Sequence, residues 1–383
     1  MVATFGLVGL RPAVTHVARV TSPPYDVIKP GTALEARLRA EPASLFHVIL
    51  GEEPGRALER LRAEGYVVED AEPAYYVYEQ SWNGETRTGV LLAGEVSDYS
   101  KGKVIRHEKT FDAKVKGRIA LASATDHTFG PVFLLTRAKI GPALVAAKRG
   151  EPLYDFTTDL GGLNDLHGIH NRVWRVPEAS ESGTRMKEAL SPEPFYIADG
   201  HHRYHAALHN GQTGFLGYVT EEARIQAYDR VVNGVRPFAE IAADLPLDEV
   251  DGFETPPKHA FTLYTKRGCW RLLARHVPAD VVGRLDCAIL ERELYSKLGL
   301  THDMIQDPAH FDYYPEEALA EMRAVVDRGD YDLAIALHPV SLAELMAVAD
   351  AGLSNPEIVM PEKSTFFAPK ILSGLFIYRH TLR

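Results

Sequence analysis

The sequence predicts a mixed α/β fold, on three observations. The 383 residues are 45% hydrophobic and 25% charged, an ordinary globular composition with length for two or three core-forming units. Short β-prone runs alternate with amphipathic helical patterns along the whole chain. One strand-to-helix junction, Phe195 to Leu208, concentrates polar chemistry between two apolar runs: Asp199, Gly200, His201, His202 and Arg203 follow one another there.

In order, Phe5 to Val20 alternates apolar and basic residues and enters Ser22-Pro23-Pro24-Tyr25-Asp26, where proline fixes φ and restrains its predecessor. Asp26 is thereby held in one place, as an Asx-type turn or as a second carboxylate for a site. Gly31 to Ala40 and Gly55 to Glu64 read as amphipathic helices flanking a strand at Ser44 to Leu50. Ala74 to Trp82 and Thr86 to Val96 form a hairpin about Asn83-Gly84. A helix at Lys116 to Ala124, a strand at Phe129 to Leu135, a Gly161-Gly162 break and a strand at Arg172 to Val176 come next.

Thr213 to Val219 and Ala227 to Val232 are strands after the central helix, which stops at Asn210-Gly211. Then come a helix ending at Leu245, strands at Ala260 to Thr265 and Trp270 to Leu273, and a helix at Asp286 to Leu298. Asp307 to Tyr314 reads as a polar-aromatic loop carrying His310 and Asp312, followed by a strand at Tyr331 to Leu337 and a helix at Ser341 to Asp350. Pro361 to Gly374 sets Lys363 and Lys370 on a restricted segment before a last strand at Leu375 to Tyr378. Two lysines so held suit a phosphate or carboxylate.

At the central junction, Gly200 permits close backbone approach, and the unpaired N–H groups of the new helix attract an anion. Arg203 can grip a phosphate at two points while His201 and His202 donate further hydrogen bonds. Asp199 beside that anion holds Mg²⁺, takes a proton from a hydroxyl, or caps the helix. His201 and His205, four apart, also offer zinc spacing; His167 and His170 read as surface residues.

Composition excludes several classes. No segment approaches about 18 uninterrupted apolar residues, and no leader pattern opens the chain, so a cytoplasmic protein without a membrane partner is expected. Cys269 and Cys287 are too few for a disulfide scaffold or cysteine metal site. A formal charge of -10 argues against a broad nucleic-acid face. Ser341 to Ile358 has helix-turn-helix spacing, but Pro356 and Pro361 interrupt a recognition helix and the flank is acidic.

Asp-Gly-His-His-Arg after an apolar strand resembles the signature of the ParB, sulfiredoxin and free serine kinase superfamily. The wider chain is similar to a large bacterial family of unknown function, often labelled ParB-like. That likeness rests on Pro23-Pro24-Tyr25-Asp26-Val27-Ile28, Arg106-His107-Glu108-Lys109-Thr110, Ala198 to Tyr204, and Met360 to Lys370. It implies a ParB/sulfiredoxin-like core over 101–240, an amino-terminal α/β segment over 1–100, and a carboxy-terminal α/β segment over 241–383 contributing the Lys363 loop. It further implies that the turn binds nucleotide phosphates, and Glu108 matches the glutamate that free serine kinases use as base. Where Thr-His-Arg is expected after the central helix, this chain has Tyr228-Asp229-Arg230, which keeps only the arginine. Sulfiredoxin-like redox chemistry is not expected, because the turn has no cysteine.

The resulting expectation is a nucleotide-dependent phosphotransferase acting on a small hydroxyl metabolite, serine or a relative. Asp199 and Glu108 are catalytic; Gly200, His201, His202, Arg203, Arg230 and Lys363 bind nucleotide phosphates; Tyr25, Asp26, His107 and Lys370 support the substrate. The resemblance implies Mg²⁺, held indirectly by Asp199, with ADP, ATP or another nucleotide. The alternatives are a ParB-like nucleotide-binding switch and a metal-dependent phosphatase or hydrolase.

Overall fold

The computed structural model describes residues 2–110, 112–160, 167–307 and 309–381, with the side chains of 112–114 and 306 outside that description. The Gly161-Gly162 break also lies outside the described residues. Two units emerge, Met1–Ala223 with Pro369–Arg383, and Arg224–Ala368.

The first unit contributes β1 (Leu7–Pro12), β2 (Val67–Trp82), β3 (Glu85–Glu95), β4 (Val104–Ile105), α1 (Asp112–Thr125), β5 (Val132–Thr136), β6 (Ile169–Pro177), β7 (Phe195–Asp199), α2 (His201–His209) and β8 (Gly214–Thr220). Its sheet has twelve strands among the described residues, along the path β4-β7-β5-β8-β3-β2-β1 and on through Ile377–Arg379 to His127–Thr128. The sheet is mixed: β7 runs parallel to β4 and antiparallel to β5, and β8 runs parallel to β5. The fold class is therefore mixed α/β. Segments read from sequence as 1–100 and 101–240 supply strands to this one sheet.

Turn chemistry sets the hairpin. Asn83 and Gly84 both have positive φ (50° and 78°), the backbone twist that suits right-twisted strands, and the turn locks Gln80 opposite Arg87. On β2, Tyr75 and Val77 join Val90, Leu92, Met186 and Ile197 in one core, while Leu10, Phe46, Leu58 and Ile377 form another. The run Ser44 to Leu50, expected as a strand, contains the short helix Phe46–Ile49. A buried apolar run this short has no period that separates the two structures.

The second unit places β9 (Tyr228–Val232), β10 (Ala260–Thr265), β11 (Gly268–Leu273), β12 (Phe311–Pro315) and β13 (Leu333–Leu337) in an antiparallel sheet ordered β11-β10-β13-β9-β12, with Leu247–Val250 on the outer side of β11. Asp307 to Tyr314 is not wholly a loop, because β12 pairs with β9 from Phe311 onward. The helix-turn-helix pattern resolves as one helix, Leu342–Ser354, started by a capping box of Ser341 and Glu344 and followed by non-helical residues.

Asp229 shares the inward face of β9 with Val231 and is fully buried. Its Oδ1 accepts the Leu337 N–H at 3.0 Å and its Oδ2 has no partner. Burial pushes this carboxyl up to about 8. The native state then binds the extra proton between pH ~4 and that value, so stability present at low pH is lost as pH rises through the window, by about 1.4 kcal/mol per pH unit. Asp229→Asn should flatten this slope and raise the melting temperature at pH 8, checked by thermal unfolding from pH 5 to 8.

Candidate functional site

β7 ends at Asp199, and the chain turns through Gly200 in a left-handed conformation (φ 95°) into α2. Gly200, not Asp199, is the helix N-cap, and Asp199 takes the Gly200 N–H. The Arg203 guanidinium folds back over the turn: a Cβ at Gly200 would stand 2.6 Å from Arg203 Nε. Gly200 is thus required twice, by backbone conformation and by space. Gly200→Ala should cost about 1–3 kcal/mol of stability and displace Arg203, so the melting temperature falls, checked by thermal unfolding.

Two cations converge on Asp199, whose side chain is a quarter exposed. Arg203 Nη2 lies 3.3 Å from Oδ1, and Lys370 Nζ lies 3.7 Å from Oδ2. Burial raises the Asp199 carboxyl, but Lys370 and Arg203 outweigh it and hold the group well below the usual carboxylate range. It is ionised.

Lys370 reaches this place because its own backbone is clamped. Gln80 Nε2 donates to the Lys370 carbonyl at 3.1 Å, and buried Arg87 donates to the Pro369 carbonyl at 2.6 Å and to Gln80 Oε1 at 2.5 Å. Arg87 also lies 4.9 Å over the Phe133 ring, and Phe133 pairs with Asp199 across the sheet. Sequence reasoning missed both positioning residues. The Asn83-Gly84 turn made the Gln80–Arg87 pair readable, but nothing local marks the distant segment covering it.

Glu108 and His107 follow β4, the strand parallel to β7, and so come beside the turn. Glu108 Oε2 is 3.4 Å from His201 Nδ1, and Oε1 is 3.7 Å from His107 Nε2. The two imidazoles meet edge to face with centroids 4.5 Å apart. Burial lowers His107 to about 4 and His201 well below its ordinary value, so both are neutral at pH 7. His201 Nε2 accepts the His107 backbone N–H at 3.4 Å, which puts the imidazole proton on Nδ1, facing Glu108.

Ligand atoms of His107, Glu108 and His201 lie within 4.8 Å of one another, close enough for a metal ion. The His201 tautomer opposes that use, because its Nδ1 carries a proton and its Nε2 is engaged. The zinc pairing of His201 with His205 does not fit the geometry: the His205 ring stacks on Tyr99 and lies 4.3 Å from His209. His167 and His170 are exposed and face Asp159 and Asp155.

Beside the turn lies a small cavity of about 60 Å³ that opens toward solvent. Tyr25, Arg118, Arg203, Gln212 and Ser373 are among its polar lining; Leu121, Phe129, Val132, Ala207, Phe215 and Leu216 supply apolar walls. The Arg118 guanidinium lies 3.8 Å over the Tyr25 ring. Tyr25 thus joins the site through Arg118, which the sequence shows only as the last cation of the basic stretch Gly102 to Arg118, with no role assigned, while Asp26 is exposed in the short helix Tyr25–Val27. His202 and Arg203 are partly buried in the first turn of α2.

Arg230 and Lys363 belong to the second unit. Arg230 is buried on β9, its Nε donates to the Tyr295 hydroxyl at 3.2 Å, and its terminal nitrogens have no hydrogen-bond partner. Lys363 adopts a left-handed backbone (φ 55°), with Nζ 5.2 Å over the Tyr228 ring.

Fold and site together describe a mixed α/β protein with a charged strand-to-helix turn beside a mostly apolar cavity. The chain belongs to the family described as protein of unknown function DUF1015, whose model matches residues 6–288. No curated protein matches it. Among solved structures, a free serine kinase in complex with AMP aligns at 12% identity and TM-score 0.38, over 75% of this chain and 92% of its own. SbnI from Staphylococcus aureus, with a C-terminal truncation, aligns at 13% identity and TM-score 0.39, over 76% and 87%. A conserved hypothetical protein from Pyrococcus furiosus aligns at 15% identity and TM-score 0.35, over 75% and 95%. In the described residues, no helix is long and apolar enough to cross a membrane.

Proposed function

We propose that the protein is a nucleotide-dependent phosphotransferase acting on the hydroxyl of a small metabolite, serine or a relative. The observation that carries this reading is the cavity beside the turn, where Arg118 and Arg203 line the same space as apolar walls and Arg203 touches an ionised Asp199. Anion-binding groups continuous with an apolar wall suit a ligand with a phosphate end and a flat apolar end. The likeness of the Asp-Gly-His-His-Arg turn to the ParB, sulfiredoxin and free serine kinase signature supports it further.

Each residue then has a task. Arg203 holds phosphate oxygens, with the first backbone N–H groups of α2 and His202 beside it. Glu108, about 30% exposed, accepts the hydroxyl proton, and the His201 Nδ1–H steadies its carboxylate. The metabolite oxygen forms the new bond to phosphorus as the bond to the nucleotide's leaving oxygen breaks, and Arg203 and Lys370 offset the charge. Asp199, ionised and partly exposed, is the residue that would hold Mg²⁺ through water, and that ion when bound neutralises phosphate oxygens.

A metal-dependent hydrolase is the second reading, favoured by the proximity of His107, Glu108 and His201 and opposed by the His201 tautomer. Incubation with ATP or ADP and a panel of hydroxy acids, followed by phosphorus NMR, separates the readings. A phosphorylated metabolite supports the transferase. Nucleotide hydrolysis alone, or stoichiometric zinc or manganese in the purified protein, overturns it in favour of a switch or hydrolase.

A further inference from the structure

The end of α2 carries an unusual residue. Gly211 closes the helix with positive φ (67°); its N–H bonds the Leu208 carbonyl at 3.3 Å, and the Gln212 N–H bonds the Ala207 carbonyl at 3.1 Å. This pair of bonds is a Schellman motif, and the position of Gln212 in it ordinarily carries an apolar residue that packs back on the last turn. Here it carries an amide. Gln212 is only 3% exposed, its Oε1 has no hydrogen-bond partner, and it lines the cavity that Arg203 also lines. A buried amide atom left unsatisfied is costly, so its retention at an apolar position points to a ligand that completes it.

The spacing fits a nucleoside. The Schellman bond brings Gln212 to the level of Ala207, about 6 Å along the axis from Arg203. Arg203 folds the other way, back over Gly200, which widens the separation. Between the two groups the helix shows the cavity only Ala206 and Ala207, and Phe215 adds an aromatic wall.

We propose that Gln212 hydrogen-bonds the edge of a nucleobase, and so reads the base of the nucleotide whose phosphates Arg203 holds. This rests on the nucleotide reading of the turn. Because a Gln amide offers both a donor and an acceptor, it suits a base edge that presents one of each, as adenine does.

The test is calorimetric binding of ADP, ribose 5-phosphate and pyrophosphate to the full chain and to Gln212→Leu, a replacement matching the apolar residue usual at this position. ADP affinity should fall about tenfold or more, while ribose 5-phosphate and pyrophosphate affinities stay within about twofold. Unchanged ADP affinity in the variant, or equal losses for all three ligands, overturns the role of Gln212 and leaves the nucleotide reading standing. Absence of ADP binding by the unmodified protein overturns both. Gln212→Asn, which keeps the amide on a shorter arm, should recover part of the loss if the base contact is real and none if the defect is in packing.

Discussion

Asp199→Asn is expected to lower the proposed phosphoryl transfer by about 10²-fold or more and to leave nucleotide affinity nearly intact. The asparagine keeps shape and a hydrogen-bonding oxygen but loses the negative charge that sits 3.3 Å from Arg203 and 3.7 Å from Lys370. That charge repels an anion rather than holding it; on the proposed reading it would hold Mg²⁺ or orient the hydroxyl. The replacement therefore separates chemistry from binding. Because Arg203 and Lys370 keep the Asp199 carboxyl ionised far below pH 7, the wild-type rate should show no acid limb from this group above pH ~4. Transfer rate and nucleotide affinity measured in parallel check the prediction; near-normal turnover removes Asp199 from the chemistry.

Arg203→Ala has the opposite signature. Affinity for nucleotide and for pyrophosphate falls by roughly 10- to 100-fold, the scale of a lost charge-assisted contact of about 1.5–3 kcal/mol. Arg203→Lys restores only part, since an ammonium cannot reproduce the two-point grip. The alanine also strips a cation from Asp199, so its carboxyl moves back up toward the ordinary range, though Lys370 remains close. Calorimetry with pyrophosphate separates the phosphate contact from any contact to the base.

The local parts of this fold were legible because local chemistry dictates them. Asn83-Gly84 can close only one kind of hairpin well, Gly211 ends α2, and the apolar run before Asp199 becomes β7. Ser44 to Leu50 was not legible, since four buried apolar residues suit a helix as well as a strand. In the site, the turn from Asp199 to Arg203 could be read because its polar residues are contiguous, and Glu108 and His107 only through the resemblance carried by Arg106 to Thr110; that β4 lies parallel to β7 and sets them beside the turn was not legible. Arg118 and Arg87 could not. Their roles arise where α1 packs on α2 and where the segment at Pro369 crosses β3, and neither contact leaves a periodic or compositional trace near those residues. Lys370 is intermediate: its restricted segment was readable, its counter-charge was not.

The central claim is that the strand-to-helix turn binds nucleotide phosphates. The most direct measurement is thermal unfolding with ADP, ATP, CTP, GTP, pyrophosphate and phosphoserine, each with and without Mg²⁺, for the unmodified protein and Arg203→Ala. A ligand at roughly 100 times its dissociation constant adds about 2.7 kcal/mol of stability. The account predicts a clear rise with at least one nucleotide and with pyrophosphate, lost in Arg203→Ala. A nucleotide shift of equal size in Arg203→Ala, or no shift with any of these ligands, would contradict it.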